Sequence, residues 1–134
     1  MESQHNLKYW KAEAFLGLGP GAYSLLPVEF LESAPYGAHF KTPSRFDDWL
    51  KWTEQPHLKH VETRSEKNHV LELFMLGLRL EGGIEKVRFP ELFNWDILKD
   101  FSHLIEHDAE LVKATPRGRE ILDTTLLELS QKII

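Results

Sequence analysis

The chain has 134 residues, of which 42% are hydrophobic and 28% are charged, with a formal net charge of −5 at pH 7. That length suits one domain that buries roughly two-thirds of its unfolded surface. The acidic balance argues against a nucleic-acid footprint, which needs clustered Lys and Arg, and no apolar run approaches the ~20 residues of a membrane span. The absence of cysteine excludes disulfides, thiol nucleophiles and cysteine-bound iron–sulfur clusters from this chain, and is typical of a cytoplasmic protein.

The first stretch combines aromatic side chains with a glycine-rich turn. Residues 1–13 are polar apart from a few groups such as Tyr9 and Trp10. The apolar run 14–18 predicts a short buried strand, and its internal glycine is typical of a close approach by a ligand or another segment. The Gly-Pro-Gly-Ala sequence at 19–22 predicts a turn, because glycine accepts positive φ and proline fixes its own φ. Its spacing is not that of a phosphate-binding loop.

Residues 25–45 read as a connecting region, with a possible short hairpin around 38–41. Helical spacing of apolar residues begins after Ser44, which we predict as the N-cap of a helix that ends at Gln55 and Pro56. The segment 66–80 is apolar almost all round, so we predict that it is the central helix of the core. Thr63 stands three residues before Glu66, as in a capping box, and a Gly-Gly pair at 82–83 should end this helix.

The last forty residues predict a helix, a short strand and a final helix. Asn94 is the expected N-cap of a helix over 95–107, and 110–114 is strand-like. Thr115 and Pro116 open the last helix as N-cap and first helical residue. This order resembles a winged-helix arrangement, so the expected fold class is α+β and mainly helical.

Four motifs occur in order along the chain: His5-Asn6-x-x-Tyr9-Trp10, Leu16-Gly17-x-Gly19-Pro20-Gly21-Ala22-x-Ser24, Leu76-Gly77-Leu78-Arg79-x-x-x-Gly83-Ile84 and Thr115-Pro116-x-Gly118. Together they resemble the C-terminal part of the HemN/HemW radical-SAM family, historically described as oxygen-independent coproporphyrinogen III oxidase-like. The first motif is similar to the HemW branch, whose members are regarded as haem chaperones. The resemblance covers nearly the whole chain.

The resemblance implies a division of the chain into three parts. Residues 1–26 would be the last strand and loop of a truncated radical-SAM barrel, and 27–43 a connecting segment with a possible short hairpin. Residues 44–134 would form the helical, winged-helix-like C-terminal domain. The missing N-terminal barrel of the same parent chain would then be its partner.

The resemblance also implies cofactors and a function. Family members hold a [4Fe–4S] cluster on an early CxxxCxxC loop, and the cluster binds S-adenosylmethionine. Because this chain has no cysteine, we expect it to be a piece of a longer protein and to be inactive alone. The implied role is that of an accessory domain in a haem chaperone that binds haem and transfers it to an acceptor protein. Two alternatives stay open: the C-terminal domain of a coproporphyrinogen III oxidase of haem biosynthesis, or a stand-alone protein-interaction winged-helix module.

Candidate site residues follow from the same resemblance. The candidate haem-binding residues are His5, Asn6, Tyr9 and Trp10. Imidazole is a normal axial ligand of haem iron, and the two aromatic rings could stack on a porphyrin; a structural alternative is that they hold a turn and pack against the barrel. The backbone candidates beside the S-adenosylmethionine pocket are Gly17, Gly19, Gly21 and Ala22. Their structural alternative is a turn needed only for close packing.

Other polar residues are better explained without a ligand. His103 and His107 stand four apart in the predicted helix 95–107, but no third metal ligand accompanies them, so we interpret them as a solvated face. Arg79 lies near the end of the central helix, where a cation suits the exposed carbonyls. DNA binding by the 95–107 segment is disfavoured, because its acids outnumber Lys99 and would repel phosphates.

Overall fold

A computed structural model describes residues 13–14, 16–26, 34–57 and 61–133. The chain is α+β, with helices and short antiparallel strands along its length. It divides into two compact units: the described residues of the first lie within 13–65, and those of the second within 66–133. Within the described ranges, no helix is both long enough and apolar enough to span a membrane.

The first unit is built on a three-stranded antiparallel sheet. Its strands are β1 (Tyr23–Leu26), β2 (Ala38–Lys41) and β3 (Glu62–Thr63), with β2 in the centre. The register places Tyr23 opposite Lys41 and Ala38 opposite Thr63. Helix α1 (Phe46–Glu54) lies between β2 and β3 in the chain. Its Trp52 packs against Phe40 of β2, with ring centroids 5.7 Å apart.

The prediction of a buried strand over 14–18 is wrong. Leu16 and Leu18 are 68% and 87% exposed, and the strand lies instead at Tyr23–Leu26. The reason is that residues 24–26 bury their side chains while pairing with β2. Gly17, by contrast, does not contact β1 as a neighbouring strand would. Its N–H donates to the Ser24 hydroxyl at 2.9 Å rather than to a strand carbonyl.

Ser44 is not the N-cap of the first helix. Arg45 occupies the N-cap position, without a capping hydrogen bond from its side chain. Pro43 accepts a hydrogen bond from the Gly21 N–H at 2.9 Å, so the residues before the helix are held against the glycine turn. Within α1 no residue is fully buried, and Phe46 remains 61% exposed.

The second unit packs helices on another three-stranded antiparallel sheet. Helix α2 (Glu66–Gly77) is followed by β4 (Ile84–Glu85), two 3-10 helices at Lys86–Arg88 and Trp95–Phe101, then β5 (Ile105–His107) and β6 (Leu111–Ala114). Helices α3 (Pro116–Glu120) and α4 (Leu122–Ile133) end the described chain. The central strand of the sheet is β6, between β4 and β5.

The core of this unit lies between α2, α4 and the sheet. Phe74 is 1% exposed and packs on Phe89, with ring centroids 5.1 Å apart. Leu73 of α2, Leu129 of α4 and Val112 of β6 are almost fully buried beside it. Burying each such side chain stabilises the fold by about 1.5–3 kcal/mol. The prediction that the apolar helix forms the core is therefore confirmed.

Several predicted boundaries in this unit need correction. Thr63 does not cap α2, because it is a strand residue paired with Ala38, and the helix begins at Glu66. The helix ends at Gly77 rather than at the Gly-Gly pair, and the Leu80 N–H then donates to the Gly77 carbonyl at 3.1 Å in a turn. Gly77 also lies so close to Ile84 that a Cβ would not fit between them. The last helix is interrupted at Ile121, which separates α3 from α4.

The predicted helix over 95–107 is wrong in its second half. A 3-10 helix covers Trp95–Phe101, and Ile105–His107 is a strand. Ile105 is 1% exposed and pairs with Ala114 of β6, so the sheet supplies burial that a helix would not. The start was predicted correctly: the Asn94 side chain accepts a hydrogen bond from the Asp96 N–H at 3.1 Å.

Candidate functional site

The predicted haem-binding element lies outside the described residues. His5, Asn6, Tyr9 and Trp10 all belong to the first twelve residues, of which the structure gives no description. Their roles therefore stay predictions. The described residues offer two other features with polar chemistry, one in each unit.

The first feature is the glycine turn, which we define as residues 17–22. Gly19 and Gly21 have φ values of 95° and 64°, the positive range that favours glycine. Thr42, which is buried, holds the turn together: its hydroxyl accepts from the Ala22 N–H at 2.9 Å and donates to the Gly19 carbonyl at 2.6 Å. The glycine turn is thus fixed by a side chain 23 residues beyond Gly19.

Most of the candidate backbone donors in the glycine turn are already used. The N–H groups of Gly17, Gly21 and Ala22 donate to Ser24, Pro43 and Thr42. A ligand that took these donors would have to break intramolecular hydrogen bonds worth about 1 kcal/mol each. The tip is open instead, because a Cβ added at Gly19 would touch no atom within 4 Å. The arrangement can therefore receive a ligand against the Gly19 backbone, but not through a row of free amides.

Sequence reasoning did not give Thr42 a role. No local signal connects it to the glycine turn, since its contact comes from the pairing of β1 with β2, in which Tyr23 faces Lys41. The Lys41 ammonium lies 5.2 Å from the centre of the Tyr23 ring, which is 59% exposed. The sequence pattern that could have identified it is a hydroxyl residue directly after a strand, where that strand pairs with one that follows a glycine turn.

The second feature, which we name the Trp95 cluster, consists of Trp95, His107 and Lys86. The His107 ring stacks on the half-buried Trp95 indole with centroids 5.8 Å apart and planes 27° apart. The Lys86 ammonium lies 4.3 Å from the centre of the Trp95 ring and 2.8 Å from Nδ1 of His107. Cation–π contact and hydrogen bonding therefore act on the same ammonium.

The electrostatics of the Trp95 cluster favour a neutral histidine. Partial desolvation of the imidazole, although His107 is exposed overall, and secondarily the positive charge of Lys86 lower the pKa of His107 below its ordinary value, against an opposing effect of Asp108. Because a lysine ammonium only donates, Nδ1 must be the acceptor and the proton must lie on Nε2. His107 in this state offers no free lone pair to a metal ion.

The structure does not support a histidine metal pair. His103 lies in a turn and His107 in β5, so the two are not on one helix face. Among the described residues, no group of three or more His, Cys, Asp or Glu side chains is placed to hold a metal ion.

Charges elsewhere in the second unit are largely paired across its surface. Arg79 lies 3.8 Å from Asp123, beside an open cleft of about 440 Å³ at the junction of α3 and α4. Lys99 and Lys132 contact Asp96 and Asp100 at 3.1 and 3.3 Å.

Comparison with curated proteins finds relatives under two names, heme chaperone HemW and radical S-adenosyl methionine domain-containing protein 1. The chain is 26% identical over 129 residues to the heme chaperone HemW of Lactococcus lactis, an alignment that covers 90% of this chain and 32% of the relative. It is 28% identical over 128 residues to the heme chaperone HemW of Bacillus subtilis, with 89% and 32% covered. It is also 28% identical over 147 aligned positions to the mitochondrial radical S-adenosyl methionine domain-containing protein 1 of Bos taurus, with 98% and 33% covered.

These matches confirm the resemblance to the HemN/HemW family that the motifs indicate. The chain spans about a third of the length of these curated relatives. No protein-family model matches it, and no solved structure matches it.

Proposed function

We propose that this chain, a relative of HemW proteins over most of its length, is the accessory C-terminal part of a haem chaperone that binds haem and passes it to acceptor proteins. The observation that carries the proposal is the alignment of about nine-tenths of the chain with two bacterial heme chaperones. The four motifs, which occur in order along the chain, agree with it.

In this proposal the N-terminal motif supplies the haem contacts. His5 would be the axial ligand, because imidazole nitrogen is a normal ligand of haem iron. Tyr9 and Trp10 would stack on the porphyrin, and Asn6 would orient the segment. His107 is a poor competitor for the iron, since its Nδ1 already accepts from Lys86 at 2.8 Å.

The glycine turn has a second proposed role, beside S-adenosylmethionine. Gly17, Gly19, Gly21 and Ala22 would lie along the edge of the pocket, with the open backbone at Gly19 as the point of approach. The [4Fe–4S] cluster would come from cysteines outside this chain, which has none. The partner proposed here is therefore a radical-SAM barrel, of which residues 1–26 would be the last strand and loop.

The second unit has the proposed role of an enclosing domain with a winged-helix-like fold. In support, α2 precedes a three-stranded sheet, and β5 and β6 form a hairpin in which His107 pairs with Val112. Phe74 and Phe89, with ring centroids 5.1 Å apart, belong to the core of this proposed enclosing domain.

Titration of haem into the whole protein, followed by the Soret band, tests the proposal. Saturation at a fixed stoichiometry with a shifted Soret band is the expected result. Absence of any saturable spectral change would contradict it. Conversion of coproporphyrinogen III to protoporphyrinogen, in the presence of S-adenosylmethionine and a reductant, would instead favour the oxidase alternative.

A further inference from the structure

The Trp95 cluster joins three elements that are separate in the chain. Lys86 begins the first 3-10 helix, Trp95 begins the second, and His107 ends β5. The contacts among the three therefore close the segment 86–95 against the sheet. Inside this segment Phe89 is buried, whereas Val87 and Leu92 are 87% and 94% exposed. The segment is also held by the Lys86 N–H, which donates to the Glu110 carbonyl at 2.7 Å, and by a hydrogen bond between His69 Nε2 and the Arg88 carbonyl at 2.8 Å. The Trp95 cluster adds a side-chain contact at each end of the segment.

The fastening depends on the protonation state of one imidazole. The Lys86 ammonium donates to Nδ1 of His107 at 2.8 Å, which requires a lone pair on that nitrogen. A protonated imidazole carries N–H groups on both nitrogens and has no such lone pair. Protonation would also place two positive charges at hydrogen-bonding distance, where they repel each other. Lys86 would then have to leave.

The charged groups that face His107 are few. Lys86 approaches from the 3-10 helix at 86–88, and Asp108 follows His107 in the chain. The Asp108 carboxylate is already an acceptor for the N–H groups of Glu110 and Leu111, at 2.7 and 2.9 Å. Other charges on the packed elements bind each other: Glu106 of β5 contacts Lys113 of β6 at 3.4 Å, and Asp96 contacts Lys99 on the Trp95 helix.

We propose that the Trp95 cluster is a pH-sensitive latch, which ties the Lys86 and Trp95 side chains to strand β5 while His107 is neutral, and which frees them and so loosens the segment 86–95 when His107 is protonated. The segment includes Leu92 and Phe93, which form one wall of a cleft of about 190 Å³ against Val70 of α2. Opening the latch loosens that wall. This proposal concerns the second unit alone and is independent of haem binding.

The direction of the effect follows from the lowered pKa of His107. The unfolded chain takes up a proton near the ordinary pKa of 6.5, whereas the folded chain does so only at lower pH. The stability that the neutral imidazole contributes is therefore complete above pH 6.5 and is lost as the pH falls from 6.5 through the lowered pKa. The latch is closed at neutral pH and opens in mild acid.

NMR of the full chain tests the latch directly. The imidazole resonances of His107, the indole N–H of Trp95 and the amides of Leu92 and Phe93 are followed from pH 8 to pH 4.5 in about ten steps. We expect the Trp95 and segment resonances to shift with the same midpoint as His107, below pH 6.5. Resonances that do not move through the His107 midpoint would overturn the proposal.

Three variants separate the latch from a general acid effect. His107→Gln stays neutral and should abolish the coupled shift of Trp95. Lys86→Met removes the charge but keeps most of the chain length, so the His107 midpoint should rise toward 6.5 while the Trp95 shift shrinks. His103→Gln, a change at an exposed histidine outside the Trp95 cluster, should leave the titration as in the wild type. A Trp95 titration that persists in His107→Gln would also overturn the latch.

Discussion

Two opposing effects determine how substitution of Gly118 by alanine changes the stability of the protein: helix propensity and packing. Gly118 lies in α3, where alanine is favoured over glycine by about 1 kcal/mol in an exposed helix. In this structure, however, the added Cβ would run into the backbone carbonyl of Leu104. Because the obstacle is backbone and not a flexible side chain, it cannot rotate away. The two effects predict opposite signs for the change in stability.

The size of the expected loss of stability follows from the contacts that hold the start of α3 against the turn at 103–104. The Thr115 N–H donates to the Leu104 carbonyl at 2.9 Å, and the Thr115 hydroxyl donates to the His103 carbonyl at 2.8 Å. Moving α3 away to admit a methyl group strains or breaks these hydrogen bonds, worth about 1 kcal/mol each. Overpacking a tight contact costs about 1–3 kcal/mol more. After subtraction of the helix propensity, we expect Gly118→Ala to destabilise the protein by about 2–4 kcal/mol.

Urea unfolding of the full chain, followed by circular dichroism, measures this change. With a slope of about 2 kcal/mol per molar urea, the midpoint should fall by about 1–2 M. Gly82→Ala is the matched control, because a Cβ there meets no atom within 4 Å, and it should change stability by less than about 0.5 kcal/mol. A Gly118→Ala midpoint equal to or above that of the wild type would refute the packing argument.

Two further substitutions test single hydroxyl groups, again by urea unfolding. Thr115→Ala removes the cap on the Gly118 N–H at 3.0 Å and should cost about 1–2 kcal/mol, whereas Thr115→Ser should retain most of the stability. Thr42→Val keeps the side-chain shape but removes both hydrogen bonds to the glycine turn, so it should cost about 2 kcal/mol, with Thr42→Ser near the wild type. A valine variant as stable as the serine variant would mean that Thr42 does not hold the turn.

What could be predicted from the sequence was mostly local. Asn94 and Thr115 were identified as caps because a cap acts within three residues, and both side chains accept the expected hydrogen bond. The apolar segment that became α2 was identified as core because most of its residues after Val70 are apolar, although Met75 is 52% exposed in the structure. Glycine at positive φ in the turn after Leu18 was predicted for the same local reason.

These errors arose where pairing with another strand decided the secondary structure. Thr63 has the spacing of a cap but pairs with Ala38 instead, and Ile105 has helical spacing but pairs with Ala114. Ala38 lies far before Thr63 in the chain, whereas Ala114 follows Ile105 closely across a short hairpin; in both cases the pairing between strands, and not the local spacing, decided the structure. The Trp95 cluster was missed for the same reason, since Lys86 and His107 are 21 residues apart and meet only through the fold.

The haem affinity of the whole protein with and without His5 tests the central claim most directly. Removing an axial ligand should weaken binding at least about tenfold, or roughly 1.4 kcal/mol, and should change the Soret spectrum. His103→Ala is the matched control, because His103 is exposed in the second unit and should leave both unchanged. We predict loss of affinity in His5→Ala alone. Equal affinity and identical Soret spectra for His5→Ala, His103→Ala and the wild type would contradict the proposed role of the N-terminal motif.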